Sequence, residues 1–218
     1  MIVTLEGVVY EIHYDKYNKF NNYAVVVAAE DKNAKCLTIN SHVEGVKVVK
    51  IGKAAFKQMK KLEGVFTADM DSLVIDSEAF ALCPSLKTFH TSADEVTVNG
   101  LAFYKCKKLI SLWCKGVVKL RYRSFTDCDS LQDVGNLLIV EEESFVNCVS
   151  LQKLSFCDKV SVRGNVFKNT VISEVFCYGD VLLHNCATMD MFLNKTIHCK
   201  ANSNLTTLVY EGANVIFW

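Results

Sequence analysis

The sequence lacks most of the features that announce a membrane protein, a nucleic-acid binder or an enzyme. It has no charge imbalance: 24 Lys and Arg stand against 24 Asp and Glu. No global field therefore gathers a polyanion or an anionic membrane, and nucleic acid is not an expected partner. It has no long apolar run. The longest, YAVVVAA from Tyr23 to Ala29, stops far short of the ~20 residues a membrane-spanning helix needs. The opening MIVTLEGVVYEIHY carries no basic leader, and Glu6 and Glu11 interrupt its apolar pattern, so it does not read as a signal peptide. The chain reads as soluble, with no membrane-inserted segment. There is no G-x-S-x-G elbow, no H-E-x-x-H and no phosphate-cradling glycine loop. No two cysteines have the C-x2-4-C spacing of zinc-binding pairs. Catalysis is not expected.

Half of the 218 residues are apolar, enough for a sizeable core, and they are written as a repeat. Phe56, Phe80, Phe103, Phe125, Phe145 and Phe167 follow one another at steps of 24, 23, 22, 20 and 22 residues. The residue before each is Ala55, Ala79, Ala102, Ser124, Ser144 or Val166, small in five cases of six, as a tight backbone corner requires. Three residues on stand Met59, Cys83, Cys106, Cys128, Cys148 and Thr170; six on stand Leu62, Leu86, Leu109, Leu131 and Leu151, with Ile172 one place late. Val65, Phe89, Leu112, Val134, Leu154 and Val175 then complete the Leu-x-x-Leu of a short strand. Upstream, the pairs Val49/Ile51, Leu73/Ile75, Val96/Val98, Val118/Leu120, Leu138/Val140 and Val160/Val162 alternate at spacing two, the signature of a half-buried strand. A decayed seventh copy uses Val181, Cys186, Met189 and Phe192 in the strand, phenylalanine, cysteine and leucine places. Steps of this length belong to leucine-rich repeats, whose units fold only by stacking into a continuous core.

The unit V-x-I-x4-F-x2-C-x2-L-x2-V resembles the BspA-type leucine-rich repeat, whose consensus approximates I-G-x-x-A-F-x-x-C-x-x-L-x-x-I. The match is fullest at IGKAAFKQMKKLEGV (Ile51 to Val65) and VNGLAFYKCKKLISL (Val98 to Leu112). LTINSHVEGVKVVKIGKAAF and YAVVVA also resemble the stretches that precede the first repeat there. The resemblance covers about residues 1–192. It implies a non-enzymatic protein, in a family of cell-surface proteins that bind proteins or host matrix together with leaderless members. Family members usually carry a proline after the first strand of each unit, whereas the single proline here, Pro84, lies inside a turn, away from the bacterial surface subgroup.

The expected fold is thus a β-rich leucine-rich-repeat solenoid of about seven repeats of 19–24 residues: an N-terminal β cap over 1–48, the solenoid over 49–186, and a degenerate last repeat with a C-terminal cap over 187–218. Cys83, Cys106, Cys128 and Cys148 then form a buried column of free thiols acting as small hydrophobes. Cys114, Cys177 and Cys157 are read as further packing residues. Regular core thiols suit a reducing cytosol, the expected location, with cell surface or secretion as the alternative. The sequons at Asn194 and Asn204 matter only in the second case. The best metal candidates are His184, Cys186, His198 and Cys199, but Cys186 already has a core place and adjacent ligands suit a tetrahedral ion poorly. Neither metal nor cofactor is expected. EEES (Glu141 to Ser144) reads as a solvated corner, like DSEA and RYRS at the same place in other repeats.

The remaining signal lies on the strand after each leucine, whose alternate residues face away from the core. Four residues after the leucine come Phe66, His90, Trp113 and Phe176, with Gly135 and Ser155 between; two after it come Thr88, Ser111, Asp133, Lys153 and Glu174. Aromatic anchors flanked by polar groups of both signs suit a protein partner; covering by neighbouring side chains is the competing reading. The expected function is a protein-interaction module using this face, with surface adhesion or matrix binding second and a thiol- or zinc-dependent enzyme a distant third. The register itself has a test. Phe103→Ala, in mid-column, is expected to cost ~3–5 kcal/mol in denaturant melts, and Glu142→Ala almost nothing. Equal effects mean that the repeat is misaligned.

Overall fold

Apolar residues at spacing two dictate strands with one buried edge, and short strands dominate the architecture. The computed structural model describes every residue except 168, 185, 186, 188, 202 and 206–213, and the backbone alone at 189 and 190. β1 (Ile2–Leu5) and β2 (Val8–His13) form a hairpin, and β3 (Tyr23–Ala29) pairs antiparallel with β2. Then come β4 (Cys36–Ile39), β5 (His42–Val43), β6 (Val46–Ile51), β7 (Gly64–Thr67), β8 (Ser72–Ile75), β9 (Thr88–Thr91), β10 (Glu95–Val98), β11 (Ser111–Cys114) and β12 (Val117–Leu120). The chain continues through β13 (Asn136–Glu141), β14 (Lys153–Arg163), β15 (Glu174–Cys177), β16 (Asp180–His184), β17 (Thr196–Cys199) and β18 (Asn214–Phe217).

Strands of two kinds alternate along the chain and separate in space. β4, β7, β9 and β11 pair in parallel as one sheet. β3, β6, β8, β10, β12 and β13 pair in parallel as another. β14 serves both kinds at once: its first half pairs with β15 and its second with β16, and β17 and β18 follow β15. The N-terminal segment is continuous with the repeats, since β3 feeds one sheet and β4 the other.

Between the two strands of each turn the chain makes a corner around the phenylalanine. Phe56, Phe80, Phe103 and Phe125 stack face to face at 5.2, 5.1 and 5.1 Å, close to the ~4.8 Å between paired strands. Their backbone N–H groups donate to the carbonyls of Ala79, Ala102, Ser124 and Ser144 in the next turn at 2.8, 2.8, 3.0 and 2.9 Å. Neighbouring backbones approach closely at this slot, which small side chains fill in the first five copies. Each of the first five corners also holds two left-handed residues, two places before and two after the phenylalanine, as in Glu78 and Leu82 (φ 59° and 62°), Leu101 and Lys105 (61° and 58°), Arg123 and Asp127 (58° and 61°). Such conformations cost a non-glycine residue roughly 1–2 kcal/mol. The N–H groups they aim at the next turn, Leu82 to Tyr104 at 2.7 Å and Lys105 to Thr126 at 3.0 Å, offset that cost.

The cysteine column is more than packing. The Sγ of Cys83, Cys106, Cys128 and Cys148 donates to the carbonyls of Phe56, Phe80, Phe103 and Phe125, one turn back, at 3.0, 3.1, 3.1 and 3.1 Å. A thiol is the small apolar group that also carries a donor, which explains cysteine in place of alanine. In the sixth copy the Thr170 hydroxyl donates to Phe167 at 2.9 Å. Burial pushes the thiols up: Cys83 to about 11, Cys148 to about 12, and Cys106 and Cys128 well above the ordinary value.

Three expectations need correction. In β6 and β13 the inward residues are Val48 and Leu137, both fully buried, rather than Val49 and Leu138. In each strand a register shift against a neighbour displaces the alternation by one residue. Cys157 is half-buried, because Phe156 takes the inward place and the next residue turns outward. The EEES corner is tied down: Glu141 binds Arg121 at 2.8 Å and Arg163 at 3.2 Å, and Glu143 binds Arg123 at 2.6 Å. The cysteine column is buried and free as expected, and donates hydrogen bonds in addition. Cys186 and the Met189 side chain of the decayed seventh copy lie outside the described residues, while its Val181 and Phe192 are buried as expected.

Two outcomes follow. Unfolded thiols ionise near pH ~8.5, while the folded ones stay neutral to about 11 or 12. The native state therefore holds more protons in that window, and stability, complete below pH ~8.5, should fall with rising pH by up to ~1.4 kcal/mol per unit per thiol. Urea melts across pH 7 to 11 check this, and Cys106→Ala should flatten the slope. Separately, a Cβ on Gly116 would stand 1.9 Å from the Asp94 carbonyl oxygen. Gly116→Ala should cost at least ~2 kcal/mol as an overpacking change, read in the same melts.

Candidate functional site

The outward residues of the smaller sheet follow from its register. Phe66 pairs with His90 and His90 with Trp113, so strand alternation sets the three side chains in one column on the side away from the core. Val65, Phe89 and Leu112, one place earlier, are fully buried beneath them. Phe66 and Trp113 are each 44% exposed, and His90 is exposed between them. The rings lean on one another, Phe66 to His90 at 6.4 Å and His90 to Trp113 at 4.1 Å between centroids. Thr88 and Ser111 are paired with each other beside this column, and Ser111 bridges on to Asp133. The Asp133 carboxylate is exposed and accepts the Gly135 N–H at 3.1 Å.

The column is interrupted at Gly135 (φ 70°) and at Ser155, which is paired with Asn136. The step from Phe125 to Phe145 is only 20 residues, and β13 begins directly after Gly135. Beyond the break, Phe176 begins a second aromatic group. Half-buried, it stacks on His198 at 4.2 Å, and His198 lies 6.4 Å from Trp218, whose ring is 5.7 Å from Tyr178. Glu174 lies at its side, 3.1 Å from Lys153 and 3.7 Å from His198 Nε2. The structure thus brings Phe66, His90, Trp113, Thr88, Ser111 and Asp133 into one patch, and Phe176, Lys153 and Glu174 into another.

His198 and Trp218 were not legible as face residues. His198 follows Phe176 by 22 residues, a full repeat step. But Ile197, the buried residue before it, comes five places after Phe192 instead of three, and that slip hides the register. Tyr178 and Trp218 lie beyond the repeat frame.

The metal candidates do not converge. His198 and Cys199 are consecutive in β17, so they face opposite sides of the sheet: His198 in the outer aromatic stack, Cys199 fully buried in the core. His184 is exposed at the end of β16, and Cys186 lies outside the described residues. Among the described residues no three His, Cys, Asp or Glu side chains come together as a metal site. Ser144 Oγ, in the small slot, donates to the Glu141 carbonyl at 2.6 Å and is buried. No described helix is long and apolar enough to cross a membrane.

Comparison with known proteins adds the following. A family model described as BspA type leucine rich repeat region matches residues 49–173 in six copies. Among solved structures, the fold is similar to a leucine rich cell surface protein from Faecalibacterium prausnitzii, with a TM-score of 0.65 and 20% identity over 94% of this chain. It is also similar to the leucine rich repeat protein of T. pallidum, with a TM-score of 0.60 and 15% identity over 95% of each chain. At such identities the likeness is one of fold. The chain spans 55% of the length of the F. prausnitzii structure. No curated protein matches the sequence.

Proposed function

The chain belongs to the BspA-type leucine rich repeat family, and we propose that this member is a non-enzymatic interaction module that takes a protein partner on the patch of Phe66, His90 and Trp113. The observation that carries the reading is a column of three touching rings held outward on a parallel sheet whose opposite face is fully buried. Rings fixed by strand pairing lose little freedom on binding, which lowers the entropic cost of association. Thr88, Ser111 and Asp133 supply hydrogen-bonding groups at the edge, the arrangement of an apolar centre with a polar rim. Phe176, with Lys153 and Glu174, is the corresponding element of a second, more buried contact.

A second reading is display at a cell surface, with adhesion or matrix binding as the role. The F. prausnitzii protein of similar fold is described as a cell surface protein. The cytosolic expectation loses its ground on physical terms: the column thiols each bond a phenylalanine carbonyl and are fully buried. They are kept from reacting by the fold in any compartment, so they carry no information about location.

The test is affinity capture from the native cell with the wild-type chain and with Trp113→Ala as bait, followed by titration of whatever is recovered, and by surface labelling of intact cells. Trp113→Ala should melt close to wild type and bind about 30-fold more weakly, the effect of losing a hot-spot tryptophan of ~2 kcal/mol. Normal binding by that variant, or its unfolding, removes this patch as the site.

A further inference from the structure

The loop between β2 and β3 departs from the rest of the surface. Over YDKYNKFNNY, Tyr14 to Tyr23, the protein exposes Tyr17 to 91% and Phe20 to 88%, against 44% for the strand-face rings. The single helical turn at Lys19–Asn21 buries nothing. A loop without a core usually collapses onto its own apolar groups, but this one is held open by hydrogen bonds. One oxygen of Asp15 accepts the N–H groups of Tyr17 and Asn18 at 2.8 and 3.0 Å, and the other accepts the Asn21 side-chain amide at 2.8 Å. Asn18 caps the Phe20 N–H at 3.0 Å, and Asn22 accepts the Asp15 N–H at 2.9 Å. At the base His13 stacks on Tyr23 at 4.7 Å. The two rings are thus presented, not merely uncovered.

The charge at the tip is locally positive, two lysines against one carboxylate. Lys16 lies 5.7 Å from the Tyr17 ring and Lys19 5.9 Å from that of Phe20. Among the described residues neither ammonium has a carboxylate partner, unlike the ladder lysines Lys47, Lys87 and Lys119, though like Lys60 and Lys61 on the repeat corners. Asp15 is the only acid in the segment; the loop's own hydrogen bonds hold its carboxylate below the usual range and keep it ionised, so the segment carries a net charge of +1.

We propose that this tip docks on an anionic lipid bilayer, with Tyr17 and Phe20 entering the headgroup region and Lys16 and Lys19 meeting lipid phosphates. Aromatic rings with lysines at the same level are the chemistry of the membrane interface. A protein partner is the poorer fit, because hot-spot aromatics work inside a surrounding ring of contacts that excludes water. Both rings of this tip are almost fully exposed and have no such rim. The neutral net charge of the whole chain is no obstacle, since screening limits the attraction to groups within about a Debye length, ~8–10 Å, of the surface.

The experiment is co-sedimentation of the full chain with vesicles of phosphatidylcholine alone and with added phosphatidylglycerol, with free inorganic phosphate as competitor. Wild type should partition onto the anionic vesicles, more weakly as salt rises, and free phosphate should compete no better than chloride at equal ionic strength. Lys16→Gln with Lys19→Gln should weaken that binding about 30-fold, ~5-fold per lysine. Tyr17→Ser with Phe20→Ser should abolish it at an unchanged melting temperature. Phe20→Trp should keep binding and move its emission, after subtraction of the parent chain, to the blue on adding vesicles. The proposal is overturned if wild type ignores anionic vesicles, if the serine variant binds like wild type, or if phosphate alone competes fully. Binding to an acidic polyglutamate peptide without binding to vesicles assigns the tip to an acidic protein and also overturns it.

Discussion

Successive turns of this protein must rise by the same distance at every position, because strands, corners and side chains are all stacked on their own copies. Strand pairing sets that distance at ~4.8 Å, and face-to-face phenyl rings accept it with little adjustment, at 5.1–5.2 Å from Phe56 to Phe125. The small slot before each phenylalanine, the left-handed corner residues and the thiol-to-carbonyl bonds all follow from bringing backbones that close. Where the step shortens to 20 residues, between Phe125 and Phe145, the ring spacing opens to 6.2 Å. Phe167 then leaves the stack and meets Phe192 edge-on at 5.5 Å.

The same constraint organises the charges. A lysine in one turn meets a carboxylate one turn away, as in Lys87 with Glu63 at 2.6 Å and Lys119 with Glu95 at 2.6 Å. Exposed pairs of this kind contribute little to stability, but they prevent like charges from stacking into repulsive columns. The two aromatic patches and the loop after β2 depart from such ladders by carrying exposed rings.

The thiols illustrate how one residue type can mislead about location and inform about structure. Their regular spacing invited the inference of a reducing compartment. Geometry gives a different reason: each Sγ completes a hydrogen bond to the turn behind it, a need that exists in any solvent. Alanine would fill the space but leave the phenylalanine carbonyl without that donor.

The amino-acid order by itself determined the repeat, its length, its inward columns and the outward strand positions, because these are consequences of side-chain period, and period is written in the chain. Phe66, His90 and Trp113 were legible as neighbours for that reason. Val48 and Leu137 were not, since a register shift moves every later residue across the sheet and depends on what the adjacent turn does. The grouping of Phe176 with His198 and Trp218 was also beyond reach, because a two-residue slip after Phe192 breaks the count. Nor did spacing disclose the loop from Tyr14 to Tyr23. Its rings stand in water because Asp15, Asn18 and Asn22 turn their side chains back on the loop's own backbone and amide groups, and a choice between backbone and solvent as hydrogen-bond partner is made only when the chain is folded.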